Sequence, residues 1–191
     1  MEADWEVEVG AGAPAIEAHW PGFVDLRLHP ERAWQLPEAA QLPALAEALA
    51  KLNAPASPVW TSKCDFWPVV EPNEFDADEL DAPPGCAAHA LGSCIDLLPR
   101  GDRQWEMPAA AAAAGKRLCG LLSAVPLRCC RVDLVIRRAF IAPDLTGPAP
   151  MDLGITAYLT ACGPSAAEAA QTLAAALEAF AGVLHGQSTL E

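Results

Sequence analysis

Cys129-Cys130-Arg131-Val132-Asp133-Leu134-Val135-Ile136-Arg137 alternates in character from one residue to the next. A strand turns successive side chains to opposite faces of its sheet. Cys130, Val132, Leu134 and Ile136 therefore belong to a covered face, and Arg131, Asp133, Val135 and Arg137 to the other. The pattern predicts a strand over residues 129–141, half packed under helices and half turned away from them. Residues 152–162 supply a second strand after the Pro/Gly-rich stretch from Pro143 to Pro150, so the two read as a hairpin.

The same period, followed toward the N-terminus, predicts strands over residues 88–98, 59–70 and 23–28. In the last of these Val24, Leu26 and Leu28 alternate with Asp25 and Arg27. Helical spacing appears between them. Leu42, Leu45, Leu49 and Leu52 form one stripe, closed by Asn53-Ala54-Pro55. An alanine-rich helix over 108–125 carries Leu118, Leu121, Leu122 and Val125. Ser165 with Glu168 three residues on is a capping box, and it opens a helix striped by Leu173, Leu177, Phe180 and Leu184.

The expected fold is α+β. Its first six elements form a ferredoxin-like βαββαβ antiparallel sheet with helices on one face, extended by a C-terminal strand and helix. Residues 1–191 read as a single domain, with an acidic loop over 71–85 and a polar tail over 187–191. The loop holds Glu71, Glu74, Asp76, Asp78, Glu79 and Asp81 in an order unlike an EF-hand. It reads as a solvated loop or, more sharply, as a lid over the sheet.

Twelve basic against 25 acidic residues leave a net charge of −13, which removes the cationic footprint of nucleic-acid or anionic-membrane partners. With 52% hydrophobic residues the chain is no disordered polymer. Its most apolar stretches are interrupted by Lys116, Arg117, Glu168, Gln171 and Glu178, so no membrane span is expected. An acidic N-terminus without a basic leader, together with seven cysteines, points to reduced thiols in a cytoplasmic protein.

Alternation then names the polar face. It gathers Arg27, Lys63, Arg131 and Arg137, four of the 12 basic residues, with Asp25, Asp65, Asp96 and Asp133. Trp67 and the sole tyrosine, Tyr158, join them. Arginine offers a planar fork to a carboxylate or phosphate, lysine a point charge, and the rings a stacking surface. The ligand-binding residues expected from the sequence are Arg27, Lys63, Asp65, Trp67, Arg131, Asp133, Arg137 and Tyr158. The plainer reading of the same residues is a solvated sheet face with charges paired across strands.

Other reactive residues have plainer readings. Thr61-Ser62-Lys63-Cys64-Asp65 is dense in nucleophiles, but strand neighbours face opposite ways, which separates Lys63 from Cys64 and favours a structural thiol. In the same strand Trp60, Ser62, Cys64 and Phe66 are expected to look toward the helices. Cys86, His89 and Cys94 have soft-ligand spacing without the fourth ligand of a zinc site, so no metal is expected. Cys129 and Cys130 read as two ordinary thiols on opposite faces. Among the histidines, His29 is the one considered as a proton carrier. The chain lacks nucleotide-loop, nucleophile-elbow and metalloprotease motifs, and nothing in it calls for a cofactor.

Three functions follow as expectations. The first is a ligand-binding or accessory protein, with a small anionic molecule or a protein partner on the polar face. The second is a cofactor-independent enzyme of isomerase, lyase or oxygenase type, with Asp65 or His29 as base. The third is an interaction protein that buries this face in a homodimer, which substitution of Arg137 would break.

Overall fold

The computed structural model describes residues 1–19, 22–70, 75–100, 105, 107–141 and 151–187. The Pro143–Pro150 connection, the start of the acidic loop and the end of the polar tail lie outside the described residues.

Glu2–Glu8 is the first strand, β1. Ala3, Trp5 and Val7 alternate in it with Glu2, Asp4, Glu6 and Glu8, and β-propensity is carried by the apolar set alone. It is followed by β2 (Ala15–Ala18), a 3₁₀ turn over Pro30–Gln35, the short helix α1 (Pro37–Gln41) and α2 (Pro43–Leu52). The chain continues through β3 (Val59–Val69), β4 (His89–Pro99), α3 (Pro108–Ser123), β5 (Cys130–Ile141), β6 (Met151–Gly163) and α4 (Ala166–Gln187). Prolines open the 3₁₀ turn, α1, α2 and α3, where their missing N–H would be unpaired anyway. Ser165 opens α4 with its hydroxyl bonded to both the backbone N–H and the carboxylate of Glu168.

The sheet is mixed and runs β1-β5-β6-β4-β3, with β2 continuing the β1 edge alongside β5. β1 and β2 are parallel to β5; the remaining neighbours are antiparallel. This overturns the ferredoxin-like βαββαβ arrangement. β6 lies between β4 and β5, and the first strand occupies an edge instead of the centre. Residues 23–28 are irregular chain leading into a turn, not a strand, and the first strand is instead formed by residues 2–8 at the edge. The hairpin of β5 with β6 has the register that alternation implies, with Asp133 opposite Tyr158.

α2, α3 and α4 all cover one face. Leu45, Leu49, Leu118, Leu122, Leu173, Leu177 and Phe180 meet Val132, Leu134, Ile136, Ile155, Ala157, Leu159 and Leu97 there in a dry core. Each large aliphatic side chain so buried contributes roughly 1.5–3 kcal/mol, which makes this contact the main stabilising force.

The opposite face is concave. β2 and β3 attach to different margins of the sheet, yet the Ser62 hydroxyl donates to the Glu17 carbonyl. Ile16, Ala18, Trp60, Leu98 and Ala139 close a second small core between them. A flat sheet could not bring those margins together, so the sheet curls at this end. Gly154 permits the curl: a Cβ there would lie 2.7 Å from Ile16 Cδ1 and 2.8 Å from the Leu97 carbonyl oxygen.

Candidate functional site

Two caps bound the concave face along the strands. At the curled end the segment preceding α2 folds over Trp60. Arg27 lies 4.2 Å from the Trp60 ring, is clamped by Asp25, and donates from Nη2 to His19 Nε2 at 3.1 Å. At the far end the described part of the acidic segment packs Leu80 against Ala90 and Cys162, with Phe75 and Ala82 beside them. Glu79 there receives Arg131 Nη1 at 2.9 Å, and Asp81 receives Arg128 Nε at 2.7 Å. Apolar anchors and two cross-links thus dock this segment on the sheet, in place of a purely solvated loop.

Between the caps runs a polar floor. Asp96 on β4 faces Thr156 on β6, and the Thr156 hydroxyl donates to Asp96 Oδ1 at 2.6 Å. Arg137 on β5 donates from Nη1 to Tyr158 Oη at 2.9 Å and more weakly to Thr156 Oγ1 at 3.4 Å. Its Nε and Nη2 both reach Glu8 Oε2, at 3.0 and 2.8 Å. One chain of hydrogen bonds therefore crosses four strands, from Asp96 to Glu8.

Thr156 is 2% exposed and Asp96 9%, although neither faces the helices. Burial pushes the Asp96 carboxyl above its ordinary range, against the Thr156 bond and the nearby charges of Lys63 and Arg137. Burial opposes the charge of Arg137, but its bonds to Tyr158 and Glu8 hold its pKa above the usual arginine value.

Six of the eight expected ligand residues are placed on this face by strand register, and a seventh, Lys63, by its reach to Asp96. Arg131, Asp133, Arg137 and Tyr158 occupy successive positions on β5 and β6. Asp65 lies opposite Cys94, and Trp67 opposite Gly92. A Cβ at position 92 would stand 2.5 Å from Trp67 Cε2, so the indole covers the glycine. Lys63 lies in the irregular part of β3, close enough for its charge to act on Asp96. Arg27 is the exception. It arrives on a turn instead of a strand and serves the Trp60 cap.

The side-chain assignment in β3 needs correction at its start. A register shift between Thr61 and Cys64 inserts a residue. Cys64 and Phe66 pack toward the helices as expected, but Trp60 falls on the concave side. Thr61 turns toward α2, where the Asn53 side chain bonds both its hydroxyl, at 2.7 Å, and its backbone N–H, at 3.1 Å.

Several expectations about reactive groups now have positions. Burial pushes the Cys64 thiol up to about 12, the reverse of an activated nucleophile. His29 is exposed and pairs with Glu31 at 3.0 Å, outside the floor. Among the described residues no group of three His, Cys, Asp or Glu side chains is disposed to hold a metal ion. None of the described helices is long and apolar enough to cross a membrane.

Sequence reasoning missed Glu8, Glu79 and Asp4 as partners of the two arginines, and His19 as a partner of Arg27. The regular acidic alternation of residues 2–8 was the available signal for Glu8 and Asp4. No family model matches the chain, and no curated protein or solved structure is detectably similar to it.

Proposed function

We propose that this is a small-molecule binding protein whose ligand lies on the concave face, with a single carboxylate of the ligand seated on Arg137. The setting of Arg137 carries the reading. Its side chain is 14% exposed, and its guanidinium joins a hydrogen-bonded floor on rigid strands. The group now on its fork, Glu8, sits on an edge strand with a side chain 39% exposed. An incoming carboxylate replaces Glu8 without leaving the arginine unpaired, and Glu8 returns to water. The exchange is near neutral in charge-assisted bonds, so affinity comes from what else the ligand touches. Tyr158 and Trp67 offer that surface.

Charge narrows the ligand class. By register, Glu2, Asp4, Glu6, Glu8, Asp65, Asp96 and Asp133 share the face with Arg131 and Arg137, and Lys63 lies near enough to act on Asp96. Arg131 is held by Asp133, Glu79 and Asp4. A polyanion is repelled by this surplus of carboxylates, whereas a monocarboxylate with a neutral or cationic second end is accepted.

A thermal-shift screen of amino acids, simple carboxylates and nucleotides tests the proposal. A ligand at 100 times its Kd adds about 2.7 kcal/mol to stability. The expected hits are monocarboxylates. Arg137→Lys weakens them at least about tenfold, about 1.4 kcal/mol, while Glu8→Gln strengthens them. Nucleotide hits alone, or carboxylate hits indifferent to Arg137→Lys, overturn the reading.

Asp96 favours a second reading, a cofactor-independent enzyme on the same face. A buried carboxyl with a raised pKa, beside two cations, has the properties of a general acid or base. On this reading Asp96→Asn preserves ligand binding and removes turnover of the bound molecule. If no hit is converted by the wild type, the binding reading stands alone.

A further inference from the structure

Three thiols lie together at the far cap, away from the arginine floor. Cys129 immediately precedes β5, whose ladder with β6 begins at the pair Cys130–Ala161. The Cys162 N–H donates to the Cys129 carbonyl at 2.8 Å, and the Cys129 side chain is near enough to act on the Cys162 thiol. Cys86 is close enough for its charge to act on Cys162. Cys130 is not part of the group, since it is buried in the helix-covered core.

We propose that Cys129 and Cys162 are an oxidisable pair that hydrogen peroxide closes into an intramolecular disulfide. The backbone bond between the two residues and their shared packing against Leu80 and Ala90 hold them side by side, and a disulfide needs only that their Cα atoms lie within roughly 4.4–6.8 Å. Cys129 adopts φ 61°, a left-handed conformation that a non-glycine residue holds only when its surroundings impose it. The neighbouring strand, the Cys162 backbone bond and the packing of both residues with Leu80 and Ala90 supply that constraint.

Exposure assigns the order of events. Cys129 is partly accessible and Cys162 fully buried. The Cys129 sulfur attacks one peroxide oxygen. An S–O bond forms, the O–O bond breaks, and the released hydroxide leaves as water after taking the thiol proton. Arg128 lies close enough to act electrostatically on Cys129 and Cys86, and its cation offsets the negative charge of the departing oxygen. The Cys162 sulfur then attacks the sulfenic sulfur of Cys129, and its proton leaves with the hydroxyl as a second water. Two thiols lose two electrons in all, and one peroxide becomes two waters. Burial pushes the Cys162 thiol up to about 12, so it reacts as a resolving partner in contact and not as a free thiolate.

The full chain is treated with a small excess of hydrogen peroxide, alkylated after unfolding, and mapped by mass spectrometry. The expected product has lost two hydrogens, contains a peptide linking positions 129 and 162, and returns to seven alkylatable thiols with dithiothreitol. Cys130→Ala retains the link, which separates the neighbouring cysteines within one peptide. Cys129→Ser abolishes it. Cys162→Ser leaves a Cys129 sulfenic acid that dimedone captures. A link through Cys86, a link between chains, or sulfinic acid at Cys129 with Cys162 still alkylated overturns the proposal. The wild-type map decides the matter even where a variant folds poorly. The result is independent of whether the concave face binds a ligand.

Discussion

Asp25 and Asp133 each sit two residues from an arginine that bonds them, and they behave in opposite ways. Asp25 and Asp133 have nearly equal side-chain exposure, 32% and 35%. The Asp25 carboxyl is nevertheless held below its usual range, chiefly by bonds from the Arg27 side chain, while burial pushes Asp133 up despite Arg131. Asp25 lies in a turn, where the chain bends its carboxylate into the arginine fork. It receives Arg27 Nε at 2.9 Å, Nη2 at 2.7 Å and the Arg27 backbone N–H at 2.9 Å. The Asp133 pair lies along an extended strand, and a single bond from Arg131 Nε at 2.7 Å joins its two members. Arg131 also serves Glu79 and Asp4, whose negative charges raise Asp133 further. Sequence spacing is the same in both cases; local backbone shape decides whether it produces a closed clamp or a shared cation.

The clamp is where substitution should hurt most. Asp25→Ala removes several charge-assisted bonds and leaves Arg27 over Trp60 without its counter-ion. An expected loss of about 1–3 kcal/mol in urea unfolding follows, toward the lower end because the pair is partly solvated. Its pH dependence has a definite sign. A lowered carboxyl pKa contributes stability that is complete above the unfolded value, near 3.8, and is lost as pH falls through the folded value. The gap between wild type and Asp25→Ala therefore narrows under acid. A gap that is constant with pH would make Asp25 a packing residue instead of an ionic clamp.

Asp96 combines deep burial with one short bond from Thr156. Its raised pKa has the reverse sign. The associated stability is complete below 3.8 and is lost as pH rises through the folded value. Asp96→Asn keeps an acceptor for Thr156 and does not titrate. It should gain on the wild type as pH rises from acid toward neutrality, by less than Asp25→Ala loses. Parallel stability curves for the two proteins would show that the carboxyl titrates as it does in the unfolded chain.

The same distinction separates what alternation could read from what it could not. Period two assigned Arg131, Asp133, Arg137 and Tyr158 to one face because β5 and β6 are long, regular and paired on both sides. It failed at Trp60, where one inserted residue in β3 reverses the faces without leaving a mark in composition. It also failed at residues 23–28, whose alternation matches that of residues 2–8. Only the second segment found a partner, parallel to β5, and a parallel partner more than 120 residues away leaves no local turn signature. The helices were legible from stripes and caps. The sheet order was not, since β6 enters between β4 and β5 to satisfy both neighbours at once. Acidic alternation over residues 2–8 could place Glu8 on a strand, but its pairing with Arg137 depends on the distant parallel contact of β1 with β5.

The smallest effect is expected at Asp133. Asp133→Ala removes one bond to Arg131, but Glu79 at 2.9 Å and Asp4 at 3.6 Å remain on the cation. The change in unfolding free energy should stay within about 1 kcal/mol, well below that of Asp25→Ala. Its sign with pH is opposite as well. Because the folded pKa of Asp133 is raised, its contribution is complete below 3.8 and declines as pH rises through the folded value. Asp133→Asn should thus improve relative to wild type as pH rises above 3.8, while Asp25→Ala worsens relative to wild type at the acid end of the series, as pH rises toward 3.8. Urea midpoints for the three proteins along one pH series measure both slopes together. Slopes of the same sign would mean that Arg131 grips Asp133 as Arg27 grips Asp25, and that turn and strand do not differ as the hydrogen bonds imply. Opposite slopes, with the Asp133 effect persisting in a Glu79→Gln background, would trace the difference to the burial of Asp133 and not to the carboxylates that share Arg131.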